Sequence, residues 1–347
     1  MATESVVSRK KSIVNKNTPF YLDRAQGAEI ADISKDTISW FVERAKYERD
    51  YIFSTKDSIE EILKQLALKT DDYFFNAALM LFGMEPQRFC PSAVIKCAHY
   101  YGTEIVRPIP SHQVFGGTLF QQVDKAVDFV LSRLNRSVSA RKKGPVAEMR
   151  MEIPNEAITE IIVNAVVHRD YDSSGSVQIA LYADRVEVIN PGNLPEQLTI
   201  SDLAKRHLSI PVNPFLARPF YLAGYINQLG YGTQNVFKWC RQAHLPEPVF
   251  EQLNQQFSVT IWRNWLTDQR LEEFNLNERQ FAAIKYLKSH QKITNSKYQD
   301  LFRVAKRTAS QDLQQLMSLG LLEKQGTTGK GVFYRLAKGA PKGHKGR

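Results

Sequence analysis

An α+β chain of more than one domain follows from three features of this sequence. Its 347 residues exceed what one hydrophobic core ordinarily organises. Stretches of helical period and stretches of strict two-residue alternation succeed one another along it. The last fifth differs from the rest in texture and in charge.

Taken in order, residues 1–25 are polar and basic and read as an arm. "KDTISWFVERAKYER" (35–49) and "DSIEEILKQLAL" (57–68) have amphipathic helical spacing, the second with Asp57 as N-cap and Glu60 three positions on. "DDYFFNAALMLFGMEPQRFCPSAVIKCAHYYG" predicts an apolar helix, a glycine stop and a strand. Phe74, Leu79, Leu81 and Phe82 are its core candidates, and "QRF" (87–89) reads as a surface turn. In "GTLFQQVDKAVDFVLSRLNRSV" the apolar positions Leu119, Val123, Val127, Val130 and Leu134 share a helix. "SARKKGP" (139–145) predicts an exposed boundary. After helix 155–168 comes "GSVQIALYADRVEVINPG", where Val177, Ile179 and Leu181 alternate, as do Val186 and Val188, around an Ala-Asp turn. That is a β-hairpin. "LGYGTQN" leads into helix 233–243, and "FSVTIWR" closes an α+β layer over 146–265. From 277 the spacing predicts helices 278–290, 295–302 and 306–319, then a glycine-tipped hairpin, "LLEKQGTTGKGVFYRL". These are the elements of a winged helix-turn-helix. The tail 337–347, "AKGAPKGHKGR", is basic and reads as disordered.

Composition narrows the function classes. No apolar core sits in "MATESVVSRKKSIVNKN", so a signal peptide is not expected. The longest apolar run, "FFNAALMLFG", is about half of what spans a bilayer, so no membrane role is expected and the cytoplasm is the default. Cys90, Cys97 and Cys240 are too scattered for a disulfide framework or a zinc site, and His99 and His112 lack ligand-spaced partners. The formal net charge is +10, yet residues 277–347 hold 15 Lys and Arg against 4 Asp and Glu. The basic excess is therefore wholly C-terminal, and it points to an acidic partner for that segment, nucleic acid above all.

Helix 155–168 poses the sharpest question. Ala157, Ile158, Ile161, Ile162, Val163, Ala165, Val166 and Val167 make it apolar around most of its circumference, as in a buried helix. Yet Glu160, Asn164 and His168 recur every four residues. Burying a carboxylate and an amide costs several kcal/mol unless each finds a partner. Either the stripe satisfies backbone groups of neighbouring loops, or it faces a polar ligand.

Residues 148–262 resemble the divergent ATP-binding domain of the GHKL superfamily, in the branch found in bacterial transcriptional regulators. Three pieces carry the resemblance in the family's order: "EAITEIIVNAVVHRDY", "DRVEVINPGNLP" and "NPFLARPFYLAGYINQLGYGTQNVFKWCRQAHLPEPVFE". It implies a GHKL-type α/β sandwich, helices on a mixed sheet, over 146–266. By resemblance, Asn164 coordinates Mg²⁺ bridging the phosphates of ATP and Glu160 is the general base for water. Asn190 stands where the superfamily has an Asp that accepts from the adenine amino group, and Gly192, Gly230 and Gly232 let backbone approach the nucleotide. His168, Arg169 and Asp170 belong to the branch's signature and line or brace the site. The chain departs from the pattern at Asn190, Val212 and Asn227, and no long glycine-rich lid is visible. Asn190 keeps a carbonyl acceptor without the charge, which lowers affinity by about tenfold. "Asn-Pro-Gly" is also, by itself, a ready β-turn.

The C-terminal segment, 277–336, resembles winged helices of bacterial regulators. Thr294 would cap the second helix, with Leu301, Val304, Ala309, Leu313 and Leu316 as the packing face. Lys306, Arg307, Thr308, Ser310 and Gln311 would meet the major groove, and Arg303, Lys324 and Lys330 the phosphates of double-stranded DNA. Residues 26–138 resemble the later part of a Schlafen AlbA-like (divergent AAA) domain lacking its front half, on "FNAALMLFGMEPQRFCPSAVIKCAHYYGTEI" and "FGGTLFQQVDKAVDFVLSRL".

Together these resemblances imply an ATP-responsive DNA-binding regulator using Mg²⁺, plausible as a homodimer on symmetric half-sites. An ATPase in nucleic-acid processing or defence, weak as a hydrolase, is the enzyme alternative. A degenerate scaffold that binds DNA alone is the third.

Overall fold

The computed structural model describes residues 18–337, apart from 106, 110, 135, 139–148, 228–229, 244, 264–265, 267–270, 272–273, 291 and 327–330. The expected arm up to residue 17, the 139–145 boundary, Lys330 and the tail from 338 lie outside them. Residues 18–25 are not an arm, since Tyr21 and Ala25 are buried in the main core and Phe20 O accepts from Asn76 Nδ2. The chain is a mixed α+β protein with a largely antiparallel sheet.

Helix α1 (Lys35–Arg49) begins at Ser34, whose hydroxyl accepts from Thr37 N. Helix α2 (Ile59–Gln65) starts one residue later than expected. Ser58, not Asp57, is its cap, with Glu61 reaching back to Ser58 N, while Asp57 accepts from Ser54 N and Gln65. The Ser58–Glu61 pair closes the reciprocal capping box, which fixes the start of the helix at Ile59. Helix α3 (Asn76–Phe82) is buried throughout. "QRF" is not a plain surface turn: it lies in the short helix α4 (Pro86–Phe89), and the Gln87 carboxamide bonds Ala93 O, Gly117 O and Gly117 N.

The main sheet has six strands: β1 (Ile95–His99), β2 (Ser111–Phe115), β5 (Val177–Leu181), β6 (Arg185–Pro191), β7 (Val249–Leu253) and β8 (Gln256–Trp262), in the order β2-β1-β5-β6-β8-β7. Strands β3 (Arg136–Val138) and β4 (Met149–Met151) form a separate antiparallel pair. Among the described residues only β1 and β5 pair in parallel, in register Ile95 to Val177 through His99 to Leu181. Hence the division expected between 26–138 and 146–266 separates neither sheet nor core. One apolar cluster runs from Tyr21 to Ile261. Pairing across some eighty residues leaves no local mark in a sequence.

Strand alternation gives the sheet its buried face: Val177, Ile179 and Leu181 point inward from β5, and Val186 and Val188 from β6, with Asn190 continuing that series. Helix α5 (Leu119–Leu131) and helix α6 (Asn155–Val167) cover it, packed on one another, on β1 and on β6. Helices α7 (Pro214–Leu222) and α8 (Gly232–Gln242) pack on the other sides of α6.

A second apolar cluster spans Leu266–Leu322. It is built by α9 (Glu278–Ser289), α10 (Asn295–Phe302), α11 (Lys306–Ser318) and the hairpin of β9 (Leu322–Gln325) and β10 (Phe333–Leu336). Thr294 caps α10 by accepting from Lys297 N. Ala309, Leu313 and Leu316 are buried as the spacing predicts, but Leu301 is 38% exposed and does not belong to the packing face.

Candidate functional site

Helix α6 carries eight buried residues on thirteen positions, and its polar stripe borders a cavity of about 350 Å³. Glu160, Asn164 and His168 line it together with Asn190, Gly230 and Gly232. Residues from α6, β6, β8 and the loop before α8 thus meet around one volume. Among the described residues, the rest of the lining is mainly apolar, including Val188, Leu194, Val236, Phe250 and Val259, and holds no Lys or Arg.

The stripe is internally bonded. Asn164 Nδ2 donates to Glu160 Oε1 at 2.9 Å, which fixes the orientation of the amide. Burial raises the Glu160 carboxyl above the usual range, opposed by the Asn164 hydrogen bond. Gly232 opens α8 directly against this carboxylate: a Cβ there would overlap Glu160 Oε1. Gly230 has φ +68, and its Cβ would collide with His207 O. These two glycines exist for close approach rather than for flexibility.

His168 closes α6. Burial, with His207 nearby, pushes its imidazole down to about 4, so it is neutral at pH 7. Val212 N approaches its Nδ1 at 3.4 Å. His207 contacts Thr233 Oγ1 through Nε2 at 2.9 Å, joining the 205–212 segment to the start of α8.

Asn190 is buried, and its carboxamide is oriented so that nitrogen donates to Ala165 O at 2.9 Å. Gly192 differs from the expectation. It is not part of the lining; at φ +141 it brings the turn after β6 against the backbone of His168 and Asp170. Arg169 braces as well. The residue is 1% exposed, and its guanidinium donates to Ser92 Oγ, Ser173 O and Gly175 O, with the Tyr171 ring 4.6 Å away.

Sequence reasoning missed His207, which lies in a segment without periodicity, and Thr233, a polar residue in the first turn of α8. It also missed the task of Asn213, whose Nδ2 donates to Val167 O and Arg169 O, both at 2.8 Å. Those carbonyls end α6, where backbone acceptors lack helical partners. A buried Asn before Pro214 was the available signal.

In the C-terminal segment Arg303, Lys306, Arg307, Ser310, Gln311 and Lys324 are exposed, and Thr308 is half-buried. Ser310 Oγ already accepts from Asn295 Nδ2. Among the described residues no group of His, Cys, Asp or Glu side chains could hold a metal by itself. No helix among them is long and apolar enough to cross a membrane.

Residues 174–261 match a protein-family model described as "Putative ATP-dependent DNA helicase recG C-terminal". The match starts at the hairpin β5–β6 and ends in β8, and it supports an ATPase-like domain there. No curated protein sequence matches the chain. Among solved structures, the DIP2311 protein from Corynebacterium diphtheriae is similar in fold, with a TM-score of 0.56 at 17% identity. The likeness covers 93% of this chain and 65% of that one, so this chain spans about two thirds of that protein's length. At such identity the likeness concerns fold alone.

Proposed function

We propose that the protein binds Mg·ATP in the cavity beside α6 and double-stranded DNA through its C-terminal segment, as a nucleotide-responsive regulator. The observation that carries the nucleotide half is the Glu160–Asn164 pair: a carboxylate and an amide on an otherwise apolar helix, facing a cavity. A stripe that served only to satisfy loops would not need one. The donor set fits the metal. Mg²⁺ takes hard oxygen ligands, keeps several waters and is completed by substrate phosphates, so one carbonyl oxygen from Asn164 suffices. When bound, the ion would neutralise phosphate charge. The free backbone N–H groups at the N-terminus of α8 suit phosphate oxygens, and the apolar lining around Asn190 suits a base.

Calorimetric titration of Mg·ATP into the full chain and into Asn164→Ala, with EDTA as control, tests this. We expect metal-dependent binding that Asn164→Ala weakens by at least roughly tenfold. A folded wild type that binds nothing would leave the stripe as bracing and the protein as a DNA-binding scaffold.

Hydrolysis is the second reading, and Glu160 favours it. Burial makes this carboxylate a stronger proton acceptor than an exposed one, and its bond to Asn164 fixes where it points. Glu160→Gln should retain Mg·ATP and lose phosphate release.

For DNA, support comes from the charge of residues 277–347 and from the exposed N-terminal half of α11. Three helices and a hairpin around one small core fit a winged helix-turn-helix, with α11 entering the groove. Lys306→Ala with Arg307→Ala should weaken a gel shift, and affinity should fall steeply with salt. A flat salt response would point to a protein partner. Regulation further requires that nucleotide bind one arrangement of the chain better than another; affinity without that difference shifts nothing.

A further inference from the structure

Between α7 and α8, Ile226, Asn227 and Gly230 line the cavity. Much of what holds this wall comes from α1, 172 to 179 residues earlier in the chain. Arg49 Nε donates to Tyr221 O at 3.0 Å, and its Nη2 donates to Ile226 O at 2.9 Å and Asn227 Oδ1 at 3.1 Å. The guanidinium also lies 4.6 Å from the Tyr221 ring centre. One turn earlier, Arg44 Nε donates to Ala223 O at 3.3 Å and its guanidinium pairs with Glu48 at 3.2 Å. Gly224, at φ +83, lets the Glu48 carboxyl come close; a Cβ there would meet it. From α5, Asp124 accepts the Tyr225 hydroxyl at 2.8 Å.

We infer that Arg49 is a positioning residue for the cavity: its fork fixes the wall at Ile226 and Asn227, so α1 sets the affinity of a site it does not line. A planar guanidinium can bridge acceptors from both ends of the 221–227 turn at once, whereas a lysine ammonium is a single flexible point. The region expected to be a separate N-terminal domain thereby acquires a task inside the cavity. The identity of the ligand rests on the Mg·ATP reading above; the latch itself does not.

The experiment compares wild type, Arg49→Ala and Arg49→Lys, all as full chains, by amide hydrogen exchange and by calorimetric Mg·ATP titration. Arg49→Ala should speed exchange at Gly224 and Tyr225, whose amides donate to Tyr221 O and Phe220 O in the wall, by roughly tenfold, with the amides of α6 unchanged, and should weaken Mg·ATP by a similar factor. Arg49→Lys, which keeps the charge and the stem, should fall between. Wild-type exchange in Arg49→Ala, or wild-type affinity despite faster exchange, overturns the inference. If wild type binds no Mg·ATP, the nucleotide reading fails and the exchange result alone decides the latch. Should Arg49→Ala lose its far-UV circular dichroism, Arg49→Lys carries the test: faster exchange confined to the wall supports the latch and wild-type exchange overturns it.

Discussion

Helices α6 and α11 each have thirteen residues, and they solve opposite problems. Eight positions of α6 are buried and four of α11. On α11 the polar residues Lys306, Arg307, Ser310 and Gln311 face solvent, where most side chains are tolerated. Beyond the first turn of α6, Glu160, Asn164 and the capping His168 are polar residues among buried apolar ones, and they border a cavity. A polar residue informs most where its neighbours are apolar.

The largest test of this contrast truncates each core. Ile162→Ala and Leu313→Ala each remove a fully buried side chain and should cost about 2–5 kcal/mol. Because the two residues belong to different apolar clusters, calorimetry should show each variant lowering its own part of the unfolding profile. A shared, equal shift would merge the two regions into one cooperative unit. Next comes Gly232→Ala, whose added methyl would displace the Glu160 carboxylate and should cost about 1–3 kcal/mol in urea unfolding. No loss would mean that Glu160 is not seated as described.

The pH profile sharpens the contrast further. His168 is held low, to about 4 against an ordinary 6.5, so its contribution to stability is present above 6.5 and is lost as pH falls through 4. His168→Gln should therefore flatten the fall in melting temperature across that window. Glu160 has the opposite sign: with its pKa raised, its contribution is present at low pH and lost as pH rises past the ordinary carboxyl range. Glu160→Gln should steepen the acid loss that His168 causes. The smallest effect is expected on α11, where Gln311→Ala should stay within about 0.5 kcal/mol by urea unfolding. A larger loss there would show that its outer face is not free.

The helix α6 stripe and the β5–β6 hairpin were legible in the sequence because both rest on local period: Val177, Ile179 and Leu181 against Val186 and Val188. Asn190 is their neighbour in the same alternation, so its burial was legible too. The cap of α2 differs by one residue from the expectation because Asp57 and Ser58 each have a glutamate three positions on, Glu60 and Glu61, so local sequence does not separate them. What could not be read was distance. Nothing near Ile95 announces Val177, nothing near Arg49 announces Ile226, and His207 sits in a segment whose period says only loop. The cavity is made by such meetings, while each of its polar residues on α6 was visible alone.

The parallel register of β1 on β5 bears on how the chain can be divided. A fragment cut at 139–145 and carrying the whole region of the family match would leave Val177–Leu181 as an edge strand. It would expose a row of unpaired N–H and C=O groups beside an uncovered apolar face. Such an edge recruits strands from other molecules. Isolated residues 146–266 would then be expected to aggregate, and a failed preparation of that fragment would report on a missing strand rather than on a missing ligand.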